Sequence, residues 1–164
     1  IREDIDMIKK LKDFIFKILY GLILLYLVIF IPSFWGHKPL VVISGSMEPT
    51  LHVGGILYYE EININDFDKD DILVYQLNKH TISHRIVDIT KNGFLTKGDN
   101  NKSIDTYEVE KQQVIGKGTN WSIPYIGYYA DFIYTHKYLL FISVGVIIID
   151  LLVDAYNDRK RREE

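Results

Sequence analysis

Eighteen consecutive residues, Ile18 through Trp35, carry no charged side chain and consist almost wholly of Ile, Leu, Tyr, Val and Phe. An α-helix rises about 1.5 Å per residue, so about 20 apolar residues cross a bilayer's hydrocarbon core with every backbone group bonded internally. Lys17 sits at one end, where its stem lets the ammonium reach the headgroups. Pro32, Phe34 and Trp35 mark the other end, where tryptophan is favoured. A cleavable signal peptide would have a shorter apolar region and a small-residue cleavage site, which Pro32-Ser33-Phe34-Trp35 is not. Residues 14–35 are therefore expected to form a transmembrane helix, after a charged cytoplasmic segment at 1–13 with Arg2, Lys9, Lys10 and Lys12. The sequence opens on isoleucine, which suggests a truncated N-terminus.

A second apolar run begins at Tyr138. Twelve uncharged residues lead to Asp150, and counting on through Val153 gives sixteen. That is short for a span, but Asp150 can sit near the far interface or pair. Residues 138–156 are expected to form a second transmembrane helix, with an interfacial helix as the alternative. An aromatic interfacial segment at 128–137 precedes it, and a basic cytoplasmic tail at 157–164 follows. Between His37 and His136 there are nine Lys and Arg against thirteen Asp and Glu, whereas Lys and Arg cluster at both ends, four in residues 1–13 and four in residues 157–164. The positive-inside rule then puts both termini in the cytoplasm and the middle of the chain outside. Asn101-Lys102-Ser103 and Asn120-Trp121-Ser122 fit the glycosylation pattern on that external side.

Residues 36–127 read as one domain of short strands and turns. Leu40–Ile43, Ile56–Tyr59, Ile72–Tyr75, Ser83–Ile89, Phe94–Thr96 and Val114–Gly116 are β-rich runs bounded by polar turns. Asn92-Gly93 is a hairpin signal. No long helical period intervenes, so a small antiparallel β domain is expected. The formal net charge of −3 and the lack of a basic, aromatic cluster argue against nucleic acid. Cysteine is absent, which excludes disulfides, thiolate metal sites and a cysteine nucleophile. The histidines and acids are too dispersed to suggest a metal site, and no cofactor is expected.

The stretch with chemical promise is Ser44-Gly45-Ser46-Met47-Glu48-Pro49-Thr50. A serine at a strand end beside glycine is accessible to a peptide carbonyl, and it needs a base to take its proton. His52, His80 and His84 are available in the domain, with His37 and His136 at its membrane edges; the residues alone leave that choice open. His84 lies on a strand-like stretch, whereas His52 and His80 sit in polar turn contexts. An imidazole base also needs an acid to orient it. Asp99 and Asp105 follow in and after a Gly98-Asp99-Asn100-Asn101 turn, where ordinary turn chemistry is the plainer explanation.

The order of these pieces shifts that balance. Ser44 to Thr50, then Ser83-His84-Arg85-Ile86-Val87, then Thr96-Lys97-Gly98-Asp99-Asn100-Asn101 with Asp105, resemble the successive boxes of the type I signal peptidases. Histidine at 84, rather than lysine, resembles the archaeal and endoplasmic-reticulum type. Val114 to Lys117 and Ile123 to Gly127 also look like that subfamily, so the likeness covers about residues 40–127. Gly55 departs from it, because an aspartate commonly follows the glycine there; an effect on the turn is expected, not on catalysis.

The resemblance implies a mainly β fold, shared with repressor-type self-cleaving peptidases and anchored by the apolar helices. It implies that Ser46 is the nucleophile, His84 the general base and Asp105 the orienting acid. Asp99 and Ser44 would support them, and the Ser46 N–H would be an oxyanion donor. Met47, Pro49 and Leu51 are expected to pack the cleft, and Phe34, Trp35 and Tyr128-Tyr129 to dip into the membrane surface. The implied activity is removal of signal peptides by acyl-enzyme chemistry at the cell membrane. The implied partners are secretory preproteins with small residues at −1 and −3, the lipid bilayer, and translocon or other processing subunits. A self-cleaving repressor would need a DNA-binding segment and a lysine base. A non-catalytic scaffold subunit of a processing complex is the other rival, although Ser46, His84 and both acids are present.

Overall fold

A computed structural model describes residues 2–163. Helix α1 spans Arg2–Phe30, and a 3-10 turn at Ile31–Trp35 carries the chain out of it. Proline at the start of that turn has no N–H to lose. Gly36 ends it at a φ of 87°, with its N–H donating to the Ser33 carbonyl. Seven strands follow: β1 Lys38–Val41, β2 Ile56–Glu60, β3 Ile72–Leu77, β4 His80–Ile89, β5 Gly93–Lys97, β6 Glu108–Glu110 and β7 Val114–Ile123. Helix α2 is Ile126–Thr135 and helix α3 is Lys137–Glu163.

The chain divides into two compact units, residues 29–131 and the remaining parts of the two ends. In the first, the strands form one curled antiparallel sheet in the order β1-β2-β7-β3-β4-β5-β6. The mainly β fold expected from the sequence is thus the observed one. Strand β3 lies at its centre between β7 and β4. Its side chains alternate between faces, as a pleated strand requires. Ile72 and Val74 join Val42, Met47, Leu51 and Leu57 in one apolar cluster, while Leu73 and Tyr75 join Phe67, Ile86, Phe94 and Val109 in another. Both faces of β3 are therefore buried, which is why Ile72 to Tyr75 read as a continuous apolar run rather than an alternating one. Burying each such side chain stabilises the domain by about 1.5–3 kcal/mol.

Some details differ from the sequence reading. The first strand stops at Val41, because Val42 and Ile43 leave the regular register: Val42 turns into the core and Ile43 is 80% exposed. Three-residue β6 lies in a stretch of charged residues, Glu108-Val109-Glu110, and pairs with β5 through a single buried side chain, Val109. Strand β7 runs well past Gly116 because it pairs with β3 through its first half and with β2 through its second. The Asn92-Gly93 turn is closed by Thr90, whose hydroxyl oxygen accepts from both the Asn92 and Gly93 N–H groups. His80 is the first residue of β4 rather than a turn residue.

Gly54 and Gly55 show why the chain departs from the aspartate pattern. A Cβ on Gly55 would lie 2.9 Å from the His52 carbonyl oxygen and 3.0 Å from that of Ile123. The Gly127 N–H bonds to the Gly54 carbonyl at 2.9 Å, so backbone packs on backbone here. A side chain at 55 would have to push strands apart.

In the other unit, α1 and α3 are long and apolar enough to cross a membrane. The acid that interrupts the second run is paired: Lys12 Nζ donates to Asp150 Oδ1 at 2.6 Å and lies 3.8 Å from Asp154. Helix α3 continues through the basic residues of the tail to Glu163, and this places cations at its C-terminal end, where the helix dipole favours them.

Candidate active site

Ser46 occupies a 3-10 turn, Gly45–Met47, that follows β1. The turn forms because Val42 must stay in the core while Ser44 and Gly45, with no large side chain, let the chain reverse beside it. Met47 and Leu51 anchor it from below, at 1% and 0% exposure. Pro49, expected to pack with them, is exposed instead. The 3-10 turn leaves that residue on the outer side of the chain.

His84 comes from β4, on the buried side of the alternation, paired with Leu73 of β3. Its Nε2 lies 3.1 Å from Ser46 Oγ and its Nδ1 lies 2.7 Å from Asp105 Oδ2. A carboxylate can only accept, so Nδ1 carries the proton and Nε2 presents a lone pair to which the serine hydroxyl donates. Asp105 is held from behind: the Thr96 hydroxyl donates to the same Oδ2 at 2.6 Å, and the Asp105 N–H donates to the Thr96 carbonyl at 2.8 Å. Thr96 is fully buried in β5. Behind it lie the Tyr75 and Tyr107 hydroxyls, 3.0 Å apart. Burial raises the Tyr75 hydroxyl well above the usual tyrosine range, which keeps it protonated and able to donate.

The second acid has different partners. Asp99 accepts two parallel hydrogen bonds from Arg85, Nε to Oδ1 at 2.8 Å and Nη2 to Oδ2 at 2.7 Å, and one from the Thr50 hydroxyl at 2.6 Å. The Arg85 guanidinium, followed by Thr50, holds its carboxyl below the ordinary aspartate range against the opposing effect of burial. Asp99 so ties together β4, the loop after β5 and the serine turn. Arg85, Thr50 and Thr96 were not singled out as site residues from the sequence. Each sits inside a motif box, but nothing in local spacing marks a side chain as a partner for a residue 14 or 49 positions away.

Ser44 Oγ lies 3.4 Å from Ser46 Oγ. His80 lines the same groove as Ser46 and His84, whereas the His52 N–H bonds to Ser122 Oγ. The groove has a volume of about 270 Å³, with residues 40–44, 46 and 47 on one wall and 80–84 on the other. The first wall starts on the edge strand β1 and continues into the serine turn, and the second is the start of β4. Among the described residues β1 pairs only with β2, and β4 meets β5 only from Arg85 onward. Also among the described residues, no group of three His, Asp or Glu is placed to hold a metal ion.

No family model matches the chain. Individual relatives do. Signal peptidase I W of Bacillus subtilis is 32% identical over 130 residues, covering 71% of this chain and 68% of that protein. The signal peptidase complex catalytic subunit SEC11 of Verticillium alfalfae is 33% identical over 121 residues, covering 65% of this chain and 70% of its own. The SEC11 subunit of Lachancea thermotolerans is 34% identical over 135 residues, covering 71% and 79%. With that identity over most of both sequences, on an antiparallel β domain that carries the serine turn, the chain belongs to the S26 signal peptidase family.

Proposed function

We propose that the chain is a membrane-anchored serine endopeptidase that removes signal peptides from secretory preproteins. One observation carries the reading: the unbroken line of hydrogen bonds from Ser46 through His84 to Asp105. Ser46 Oγ attacks the scissile carbonyl carbon while its proton passes to His84 Nε2. The carbonyl π electrons move to oxygen, where the Ser46 N–H stabilises the oxyanion and Ser44 Oγ supplies polar support. The C–N bond then breaks, and the leaving amine takes the proton from His84. Water attacks the acyl-enzyme with His84 again as base, and Ser46 leaves with the proton returned. Asp105 holds the imidazole in the tautomer that both steps need.

The groove suits an extended peptide. Two open strand edges offer main-chain hydrogen bonds without demanding sequence. Its modest volume fits the small −1 and −3 residues expected of such substrates. The charge asymmetry supports a catalytic domain outside the membrane and both termini in the cytoplasm. Phe34 and Trp35, at 87% and 73% exposure, are suited to the membrane surface. The SEC11 relatives are named as subunits of a signal peptidase complex, which supports partnership with other processing subunits.

The test is cleavage of a model preprotein by the detergent-solubilised chain and its Ser46→Ala, His84→Ala and His84→Lys variants across pH. Cleavage at the signal-peptide junction should fall by on the order of 10⁶-fold in both alanine variants. Full activity in His84→Ala would move the base to His52 or His80. A folded wild-type chain that cleaves nothing would favour a non-catalytic scaffold subunit.

A further inference from the structure

The mechanism asks the Ser46 N–H to point at a developing oxyanion, yet a three-residue 3-10 turn does not by itself hold a peptide plane still. Asn100 supplies what is missing. Its backbone N–H donates to the Ser46 carbonyl at 2.9 Å, and its side-chain Nδ2 donates to the Gly45 carbonyl at 3.1 Å. These are the carbonyls of the two peptide units that flank the Ser46 Cα. Both units are trans, so each N–H points opposite to its own C=O. Gripping the Gly45 oxygen from the side of the 98–101 loop therefore turns the Ser46 N–H away from that loop.

The grip is itself held firmly. A Cβ on Gly98 would lie 2.5 Å from the Ser46 carbonyl oxygen, so only glycine lets the loop approach this closely. Asp99 is fastened to Arg85 and Thr50, and the Asn101 N–H closes the turn onto the Gly98 carbonyl at 2.9 Å. Apart from Asn100, among the described residues the Gly45 carbonyl accepts only from the Glu48 N–H at 3.2 Å, a bond internal to the turn that moves when the turn moves.

We propose that Asn100 is a positioning residue that aims the Ser46 backbone N–H as the oxyanion donor. This rests on the reading of Ser46 as nucleophile. Asn100 touches no reacting atom; it acts through the Gly45–Ser46 peptide. Its loss should damage stabilisation of the tetrahedral state and leave ground-state binding alone.

The experiment uses the full chain in detergent, as wild type, Asn100→Ala, Asn100→Asp and Ser46→Ala. The aspartate keeps the shape of the side chain but replaces the donor with a carboxylate that repels the Gly45 oxygen. Four quantities are read: kcat and KM on a model preprotein, affinity for a peptide aldehyde ending in alanine at −1, and affinity for the matching peptide alcohol. The Ser46 oxygen adds to the aldehyde carbon, its proton goes to His84, and the hemiacetal oxygen occupies the oxyanion position. The alcohol can form no such adduct. Both Asn100 variants should lose about 10–100-fold in kcat and a similar factor in aldehyde affinity, since misaiming a donor costs somewhat less than removing it. KM and alcohol affinity should stay within about twofold of wild type. Equal losses for aldehyde and alcohol would make the role merely structural and overturn the proposal, as would kcat at the wild-type level in both variants. Cleavage that survives Ser46→Ala would instead overturn the assignment of the nucleophile.

Discussion

The Arg85–Asp99 pair can be tested as a double-mutant cycle with Asp99→Ala, Arg85→Met and the two together. The pair makes two charge-assisted hydrogen bonds at 2.8 and 2.7 Å, and its side chains are 23% and 16% exposed. Unit charges about 4 Å apart at an effective dielectric of about 20 attract by about 4 kcal/mol, and desolvation offsets part of that. Fully exposed pairs give about 0–1 kcal/mol, so a mostly buried, bidentate one should couple by about 2 kcal/mol. Among the described residues, Asp99→Ala leaves the guanidinium hydrogen-bonded only to the Asp70 carbonyl and Asn120 Oδ1. It should destabilise the domain by about 3 kcal/mol, and Arg85→Met by a similar amount, because each strands the other's charge. The double variant should lose about 2 kcal/mol less than the sum. Urea denaturation in detergent, followed by near-ultraviolet circular dichroism of the buried tyrosines, reads these differences. The cycle also predicts a pH dependence. Asp99 is held below its ordinary range when folded, so its share of stability is complete above about pH 4 and is lost as pH falls through the lower folded value. Wild type should therefore weaken faster than Asp99→Ala on acidification below about pH 4. Additivity within about 0.5 kcal/mol, or parallel acid profiles, would refute the view of Asp99 as a tether.

Two further expectations concern neighbouring positions. Thr96→Val keeps the shape of a buried side chain but removes the donor to Asp105. It should lower kcat by about tenfold with little change in KM and cost about 1–2 kcal/mol of stability, while Thr96→Ser should restore most of kcat. Gly55→Asp should destabilise by about 1–3 kcal/mol through its clash with the His52 and Ile123 carbonyls, measurable in the same urea titration. Its kcat per folded molecule should match wild type, since Gly55 has no bond to Ser46, His84 or Asp105.

The apolar helices and the β domain were legible because hydrophobicity and alternation are local properties, summed along a few consecutive residues. Ile18 to Trp35 needs no partner to declare itself, and neither does the turn at Asn92-Gly93. The boundaries of β1 and the whole of β6 were less legible, because a core contact decides the first and a neighbouring strand the second. At the site, the motif boxes of a known family pointed to Ser46, His84 and Asp105 with Asp99 in support, but they could not say which side chain each acid touches. Ser46 and His84 are 38 positions apart, and Asp105 stands 21 beyond His84. Which carboxylate reaches the imidazole depends on the register of β4 against β5 and on the path of the loop after Lys97. A shift of one residue in that register would turn His84 to the other face of the sheet. The residue types that can do the chemistry belong to the sequence; that Asp105 faces His84 while Asp99 fastens Arg85 is decided by strand pairing, a long-range contact that no local pattern encodes.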